Sequence, residues 1–465
     1  MSKKNSFFLF FFSFLVVFGQ SENQKLNIEE FLAIVKKYHP VVKQANINIE
    51  KSKAEITIAR GAFNPIIANY LGNKKIDNVN YYQYINPTVT IPTWFGVEVS
   101  AGLMDLNGNR LDVSSTQGQS SYVGISLPLG KNLLMDKRRA NLKQSLIFKD
   151  MQTTEQRILV NNILMEAATQ YWEWVNAYES YKIAEKNFEV SKQRFGLIKK
   201  TFENGERPAI DTIEAKTQFQ SFELLKNELL LKTTNERLLL STFLWQENNF
   251  PYQLPENIIP YEGWENTNEL TKPDVNELVE TAKKSHPELE IYNQKLDMLQ
   301  IQKRLKFQEL LPKADVFYNH INGKNYDLLQ ANGLFFDNNY QYGLKFEMPI
   351  FLSNGRGEFK SAKLKIKETQ VLQSEKTLAI EVKIKQYFNE FLVLKNQIVL
   401  QQQMLEGFEK LLKAEETLFS NGESSLFLIN SRENKFLENK RKLIELKTKY
   451  FKSIYALQWS AGLLQ

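Results

Sequence analysis

Histidine has the most versatile chemistry of any residue in this sequence, because an imidazole can bind a metal ion or carry a proton. The chain has three, His39, His286 and His320, and no cysteine, which excludes disulfides and thiolate metal sites. His39 and His286 are each followed by proline in two similar segments, which favours turns between helices over metal ligands. His320 has no ligand neighbour at metal-site spacing. We therefore predict no metal site and no cofactor.

The sequence also lacks the motifs that usually carry catalysis. No glycine-rich phosphate loop opens a helix after a strand, and neither a nucleophile elbow nor a metal-binding quartet is present. The formal net charge of +6 is too small and too dispersed to indicate nucleic acid as a partner. We expect a protein that is not an enzyme. An exported enzyme on a helical scaffold is an alternative that the missing motifs disfavour.

A glycine-centred turn occurs twice in the chain. The stretch FENGERPAID contains Gly205, and the similar stretch FSNGESSLFL contains Gly422. Six residues after the glycine, the first stretch has Asp211, whereas the second has Leu428. Each glycine could simply end a helix in the left-handed conformation. Asp211 could likewise serve only to stabilise the N-terminus of the helix that follows, through its dipole.

These turns belong to a repeat that covers the whole chain. FLAIVKKYHPVVKQ matches LVETAKKSHPELEI, Pro65 matches Pro312, and Pro128 matches Pro349. The offset between copies falls from 312 − 65 = 247 at the first prolines to 422 − 205 = 217 at the turn glycines. The first copy therefore has about thirty extra residues, which we place between Pro65 and Pro128.

Each copy contains a very long helical pattern. Apolar residues recur alternately every three and four positions through residues 384–419, which is a sustained heptad seam. A similar seam in the first copy predicts a helix from about Asp136 to Glu203, roughly 100 Å long. Return helices are predicted to start at Pro208 and near Ser425. Each copy thus ends in a long antiparallel helical hairpin.

Shorter segments alternate with a period of two. In segments 97–103, 123–127 and 340–348, apolar residues alternate with polar residues or glycine. The pattern suits the strands of a lipid-facing, water-lined barrel, and it suits the half-buried strands of a soluble sheet equally well. The predicted fold class is mainly α with a small β part. It is built from two tandem repeats of helix, strand, strand and long helical hairpin.

The N-terminus resembles a secretory signal. Lys3 and Lys4 precede a 12-residue apolar run at positions 7–18, which is short for a helix that crosses a membrane. A retained membrane anchor is the alternative interpretation. The expected division of the chain is a signal peptide at 1–20, a first repeat at 21–250, a connecting segment at 251–274 and a second repeat at 275–465.

Nearly the whole mature chain resembles the TolC family of outer-membrane efflux proteins. The resemblance rests on the doubled architecture, on the two glycine turns, and on prolines where strands meet helices, namely Pro65, Pro128, Pro312 and Pro349. It implies a homotrimer in the outer membrane of a Gram-negative bacterium. Each chain would give four strands to one shared β-barrel, and its helices would form an α-helical barrel across the periplasm.

The resemblance also implies a function, that of a passive exit duct in a tripartite efflux or secretion system. Its partners would be a periplasmic adaptor, an inner-membrane pump and outer-membrane lipid. Gly205, Asp211, Gly422 and Leu428 would lie at the tips, where the adaptor docks and the tunnel narrows. The family has an acidic residue at both tips, so Leu428 departs from its pattern.

Two questions of function stay open at this point. The alternative to a duct is an exported coiled-coil scaffold or interaction protein without a pore. For a duct, we expect small-molecule efflux rather than protein secretion or metal export, although no sequence feature separates these cargoes.

Overall fold

The computed structural model of the protein describes residues 24–112, 116–266, 274–322 and 339–464. The signal peptide expected at residues 1–20 lies outside the described residues. The chain divides into two compact units that each draw on both halves of the sequence. Their bounds are Met1–His39, Glu166–Thr271 and Val393–Lys452 for the first unit, and Pro40–Met165, Lys272–Leu392 and Ser453–Gln465 for the second.

Most of the described chain is helical. The α-helices are α1 (Ile28–Tyr38), α2 (Pro40–Gly61), α3 (Lys137–Glu203), α4 (Ala209–Ser241), α5 (Val275–Ser285), α6 (Pro287–Gln308), α7 (Ser353–Ser420) and α8 (Leu426–Ser460). None of the helices in the described residues has an apolar stretch of the length and hydropathy that a membrane crossing requires.

The long helices confirm the heptad interpretation. Helix α3 has 67 residues and α7 has 68. Asp136, expected as the first residue of α3, is instead its cap, because its side chain accepts a hydrogen bond of 2.8 Å from the backbone N–H of Arg139. Along the seam of α7, Ile384 and Phe391 are fully buried. Burial of this stripe, rather than helix propensity alone, holds such long helices in place.

The two histidine–proline steps are turns between helices, as the sequence predicts. His39 separates α1 from α2, and His286 separates α5 from α6. The Nδ1 atom of His286 accepts a hydrogen bond of 3.1 Å from the backbone N–H of Glu288, so it caps α6. The ring of His286 therefore serves local structure. Within the described residues, no group of three or more His, Cys, Asp or Glu side chains could hold a metal ion.

The strands form two sheets. They are β1 (Gln24–Leu26), β2 (Ile66–Ile76), β3 (Val79–Pro92), β4 (Glu98–Asn107), β5 (Gly118–Pro128), β6 (Ile258–Pro260), β7 (Lys313–Asn322) and β8 (Tyr340–Glu347). Strands β1 and β6 make a short parallel pair. The other six form one antiparallel sheet in the order β2-β3-β4-β5-β7-β8.

The expectation of four strands per chain was wrong. The extra segment of the first copy forms strands of its own, so among the described residues the first copy gives four strands to the large sheet and the second gives two. Two prolines make β3 hard to recognise from the sequence, since Pro87 lies inside β3 and Pro92 ends it. Proline has no N–H to donate, and the pairing of β3 with β4 skips residues 86 and 87. Strand β3 nevertheless stays in the sheet at this point, because Pro87 is still paired with Asn69 in β2.

The connecting segment carries structure of its own. Besides β6, it contains a short 3₁₀ helix at Glu262–Asn266. Within the first unit, Trp264 packs edge-on against Trp172 and Phe451, at centroid distances of 5.9 Å for both pairs. Tyr171, beside this cluster in α3, donates a hydrogen bond of 2.8 Å to the backbone oxygen of Leu26 in β1. These contacts anchor the connecting segment on α3.

Candidate functional site

The two glycine turns have the same geometry. Gly205 has φ = 78° and Gly422 has φ = 80°, both in the left-handed region that favours glycine. In each turn the residue after the glycine donates to a carbonyl five residues earlier, at 2.9 Å from Glu206 and 2.9 Å from Glu423. This is the Schellman arrangement, which satisfies the last carbonyls of a helix. Both glycines therefore do end their helices.

The first tip holds its acidic residue in a local ion pair. The carboxylate of Asp211 accepts a hydrogen bond of 3.1 Å from Arg207, four residues earlier. The guanidinium of Arg207 also lies 4.3 Å from the ring centroid of Phe419, at the second tip. Arg207 thus links the two tips. Arg207 precedes α4 and was not predicted as a tip residue, because no helical spacing in the sequence pairs it with Asp211.

The second tip is built differently. Leu428 and its neighbour Phe427 are exposed apolar residues. Behind them, the buried carboxylate of Glu415 accepts a hydrogen bond from Ser424 and lies 3.6 Å from the Nε atom of Arg432. The acidic group of this tip therefore lies inside the hairpin rather than at the position that matches Asp211.

Below the turns, a small core joins the two hairpins. Ile198 from α3, Ala215 from α4 and Leu426 from α8 are buried together, with Phe195 and Phe419 packed against them. The cluster draws on both hairpins, so separating the tips would expose it to water. Ile198 and Leu426 each contribute roughly 1.5–3 kcal/mol through the apolar surface that they remove from water.

A buried ion pair lies next to this core. Arg194 in α3 donates two hydrogen bonds, of 2.7 and 3.1 Å, to the two carboxylate oxygens of Glu433 in α8. Glu433 is only 4% exposed. A bidentate pair in a poorly hydrated site fixes the relative position of two helices and is costly to break. Sequence reasoning gave no signal for it, since the partners are 239 residues apart.

The four junction prolines lie where the sequence predicts. Pro65 immediately precedes β2, Pro128 ends β5, Pro312 precedes β7, and Pro349 follows β8 by two residues. The junctions are closely packed: the backbone N–H of Lys131 donates to the oxygen of Pro312 at 2.8 Å. Their proposed part in joining barrel to helices stays a prediction.

The six-stranded sheet has one apolar and one polar face. Paired residues of successive strands form an apolar row that consists of Ile91, Val99, Ile125, Tyr318 and Tyr342. The neighbouring row on the opposite face is polar or glycine, and it consists of Thr90, Ser100, Gly124, Asn319 and Gln341. In the single chain, Ile91, Ile125 and Tyr342 of the apolar row are exposed, and its other two members are half-buried.

Glycines on the polar face make room for rings. Gly102 lies opposite Tyr122, and a Cβ atom at Gly102 would come within 2.7 Å of the Tyr122 ring. Gly343 lies opposite Phe317 in the same manner, and a Cβ there would collide with the Phe317 ring. Rings that lie flat over glycine leave space above the strands. A hollow of about 380 Å³ on this face is lined by Ser100, Ser120, Asn319 and Gln341, among others.

Comparison with known proteins identifies the architecture. Residues 34–244 match the family described as outer membrane efflux protein. None of the curated proteins gives a significant match.

Solved structures of outer-membrane channels share the fold. The CmeC channel of Campylobacter jejuni is 15% identical, with a TM-score of 0.66 over 94% of this chain and 85% of that one. VceC of Vibrio cholerae is 14% identical, with a TM-score of 0.64 over 94% and 96%. The open MtrE channel of Neisseria gonorrhoeae is 12% identical, with a TM-score of 0.64 over 94% and 89%. At these identities the likeness shows the fold.

The family match covers the helices and strands of the first repeat from α1 to α4, and the shared fold extends through the second repeat. The resemblance inferred from the sequence is thereby confirmed: residues 34–244 match the outer membrane efflux protein family, and the fold is the one that outer-membrane channels share.

Proposed function

We propose that this protein is the outer-membrane exit duct of a tripartite efflux or secretion system. The observation that carries the proposal is the two-faced sheet, in which a partly exposed apolar row backs a polar, glycine-containing row. Lipid would cover the first face, and water would fill the space over the second. A soluble sheet would instead cover its apolar face with its own helices.

The sheet cannot close within one chain. Small closed barrels need about eight strands, and this sheet has six with two open edges. Copies related by rotation would remove these edges. We therefore propose a homotrimer with one shared barrel in the outer membrane of a Gram-negative bacterium, and with α3, α4, α7 and α8 as walls of a periplasmic tunnel. The match of residues 34–244 to the outer membrane efflux protein family supports this arrangement.

The helical tips are the proposed gate and docking surface. Gly205, Asp211, Gly422 and Leu428 lie at the ends of the two hairpins, where a periplasmic adaptor and an inner-membrane pump would meet the duct. Opening would require the hairpins to separate, which would break the ion pair of Arg194 with Glu433. The pump would supply the energy, so the duct itself would work by gating and not by chemistry. Small molecules are the proposed cargo.

Cysteines placed on the two faces of β5 would test this proposal, since the natural sequence has none. Ile125→Cys lies on the apolar face and Ser126→Cys on the polar face, one residue apart. In lipid vesicles, a membrane-impermeant thiol reagent should label Ser126→Cys and leave Ile125→Cys unlabelled. In urea, both variants should label fully, which controls for thiol content.

Equal labelling of both variants in vesicles would contradict a lipid-facing sheet. A protein that stays dispersed without detergent or lipid would point instead to the scaffold without a pore.

A further inference from the structure

The two edges of the large sheet complement each other. Strands β2 and β8 are the edges, and every neighbouring pair between them is antiparallel. Because six is an even number, β2 and β8 run in opposite directions. In a ring of copies related by rotation, β8 of one copy therefore meets β2 of the next copy antiparallel, without any strand reversed. A chain with an odd number of strands could not close in this way.

Both edges are open to a partner. Ten of the eleven residues of β2 and seven of the eight residues of β8 are exposed. Natural proteins rarely leave long edges with exposed apolar side chains, because such edges pair with other chains. We infer that β2 and β8 of neighbouring copies pair with each other, so that the proposed trimer closes a barrel of eighteen strands. This inference rests on the proposed function.

The internal register of the sheet supports closure. The row that starts at Ile66, the first residue of β2, continues through Thr90, Ser100, Gly124, Asn319 and Gln341. Gln341 lies 347 − 341 = 6 residues before Glu347, where β8 ends. Ile66 and Glu347 both adjoin segments that lead to helices, next to Pro65 and Pro349. If Ile66 of one copy lies beside Glu347 of the next, the row of paired residues shifts along the strands by six residues for each chain.

That shift agrees with the geometry of closed barrels. Six residues climb about 20 Å, and six strand spacings cover about 29 Å, which corresponds to a strand tilt of about 35°. Closed barrels have tilts of about 35–45°. The register within one chain thus has the slope that a closed ring of such chains requires.

The seam that results pairs apolar side chains with apolar side chains on the apolar face. With Ile66 opposite Glu347, the partners on the apolar face are Ile67 with Phe346 and Leu71 with Tyr342. These four side chains are 81%, 64%, 66% and 73% exposed in the single chain. A shift by one residue would place Ile67 against Lys345 or Glu347 and would turn one strand's apolar residues towards the polar face. The seam therefore has a preferred register, which keeps apolar side chains on one face, as well as a preferred strand direction.

The barrel would be wider than the resemblance implied. Four strands per chain would give twelve strands, whereas six per chain give eighteen, and membrane barrels of sixteen to eighteen strands enclose an aqueous channel. The strand pair of β3 and β4 in the first repeat, which has no counterpart among the described residues of the second, supplies the difference. Its glycine Gly102 would help to keep the lumen open under the Tyr122 ring.

Disulfide trapping in the full-length protein would test the seam. Ile67→Cys with Phe346→Cys places thiols on the apolar face, and Ala68→Cys with Lys345→Cys places them on the polar face one position along. One of the two pairs is hydrogen-bonded and the other is not, and both have Cα separations that a disulfide can span. The control pair, Ile67→Cys with Tyr342→Cys, would be offset by about 13 Å along the strand.

We expect oxidation to link the two seam variants into chains of two and three copies on a non-reducing gel, and the control pair to stay unlinked. The single variants Ile67→Cys and Phe346→Cys must still form conducting trimers, which shows that the sheet folds. A conducting trimer in which neither seam pair links would overturn the seam and leave the duct intact. A protein that is monomeric in detergent would overturn the duct and the seam together.

Discussion

In the part of the chain that the structure describes, the first repeat has four strands between its helices and the second has two, although α3 and α7 differ by a single residue in length. Helix length is fixed along the whole heptad seam, because each turn packs against a neighbouring hairpin. Sheet width is less constrained. An inserted hairpin adds two antiparallel strands and restores the chain direction, so a repeat can widen its sheet without disturbing its helices.

The tips of the two repeats differ in chemistry while they agree in geometry. Gly205 and Gly422 adopt the same turn, but Asp211 is paired with Arg207 at the first tip, whereas Leu428 is apolar and exposed at the second. The shared turn positions the hairpin ends. The differing side chains would let an adaptor distinguish one tip from the other.

The largest expected effect concerns the ion pair that joins the hairpins. Glu433→Ala leaves the guanidinium of Arg194 partly buried without its carboxylate, and we expect a loss of about 3–5 kcal/mol in the free energy of unfolding. Urea unfolding followed by circular dichroism would measure it. Glu203→Ala removes only an exposed contact to Lys199 and should cost less than about 0.5 kcal/mol. Equal losses would show that the buried pair does not join the hairpins.

The buried histidine–proline turn at His286 should make the stability of the protein depend on pH. Burial lowers the pKa of His286 to about 4, with Lys376 and Lys383 adding to the decrease and Glu288 opposing it. Burial lowers the pKa of His39 as well. Between pH 4 and 6.5 the unfolded chain binds more protons than the folded chain, so the stability that neutral His286 contributes is lost as the pH falls through this window. The loss should reach up to about 3 kcal/mol.

The variant His286→Asn keeps an oxygen that can cap α6 but cannot titrate. Its unfolding free energy should depend less on pH between 4 and 6.5 than that of the unmodified protein. An unchanged slope would mean that other groups cause the pH dependence.

Glycine-to-alanine substitutions should have opposite effects on stability at the tips and in the helix interiors. Gly205→Ala and Gly422→Ala should each destabilise by about 1 kcal/mol, because their φ angles are positive. Gly196→Ala in α3 and Gly407→Ala in α7 should instead stabilise by about 0.5–1 kcal/mol, since both lie in helix interiors with open space around them. Thermal unfolding would show the opposite signs. A destabilising Gly407→Ala would be evidence of a contact at that site.

The smallest effect on stability, and the most specific for function, concerns the tip residues themselves. Asp211→Cys and Leu428→Cys are matched positions at the two tips. We expect a bulky thiol reagent to react more slowly at both positions once the adaptor is bound, by unequal factors, because the side chains around them differ. Rates that do not change with adaptor would remove the tips from the docking surface.

Several parts of this architecture follow from sequence alone. The start of α3 was predicted to within one residue because an unbroken seam and a capping aspartate mark it. Strand β4 was indicated by the alternation at 97–103, whereas β3 was missed because Pro87 and Pro92 mark a loop by every local rule, and pairing with β2 holds β3 extended. Asp211 was singled out through the family resemblance, and its part at the tip stays a prediction. Arg194 and Glu433 could not be predicted from the sequence, because their partnership depends on how two hairpins pack.

The central claim is that this chain forms an oligomeric pore, and single-channel recording tests it most directly. The detergent-purified mature protein would be added to planar lipid bilayers, and its mass in detergent would be measured in parallel. We predict discrete conductance steps from a species of three chains. A monomer or dimer that needs no detergent and produces no steps would contradict the account, and the repeated glycine turns would then be ordinary hairpin ends.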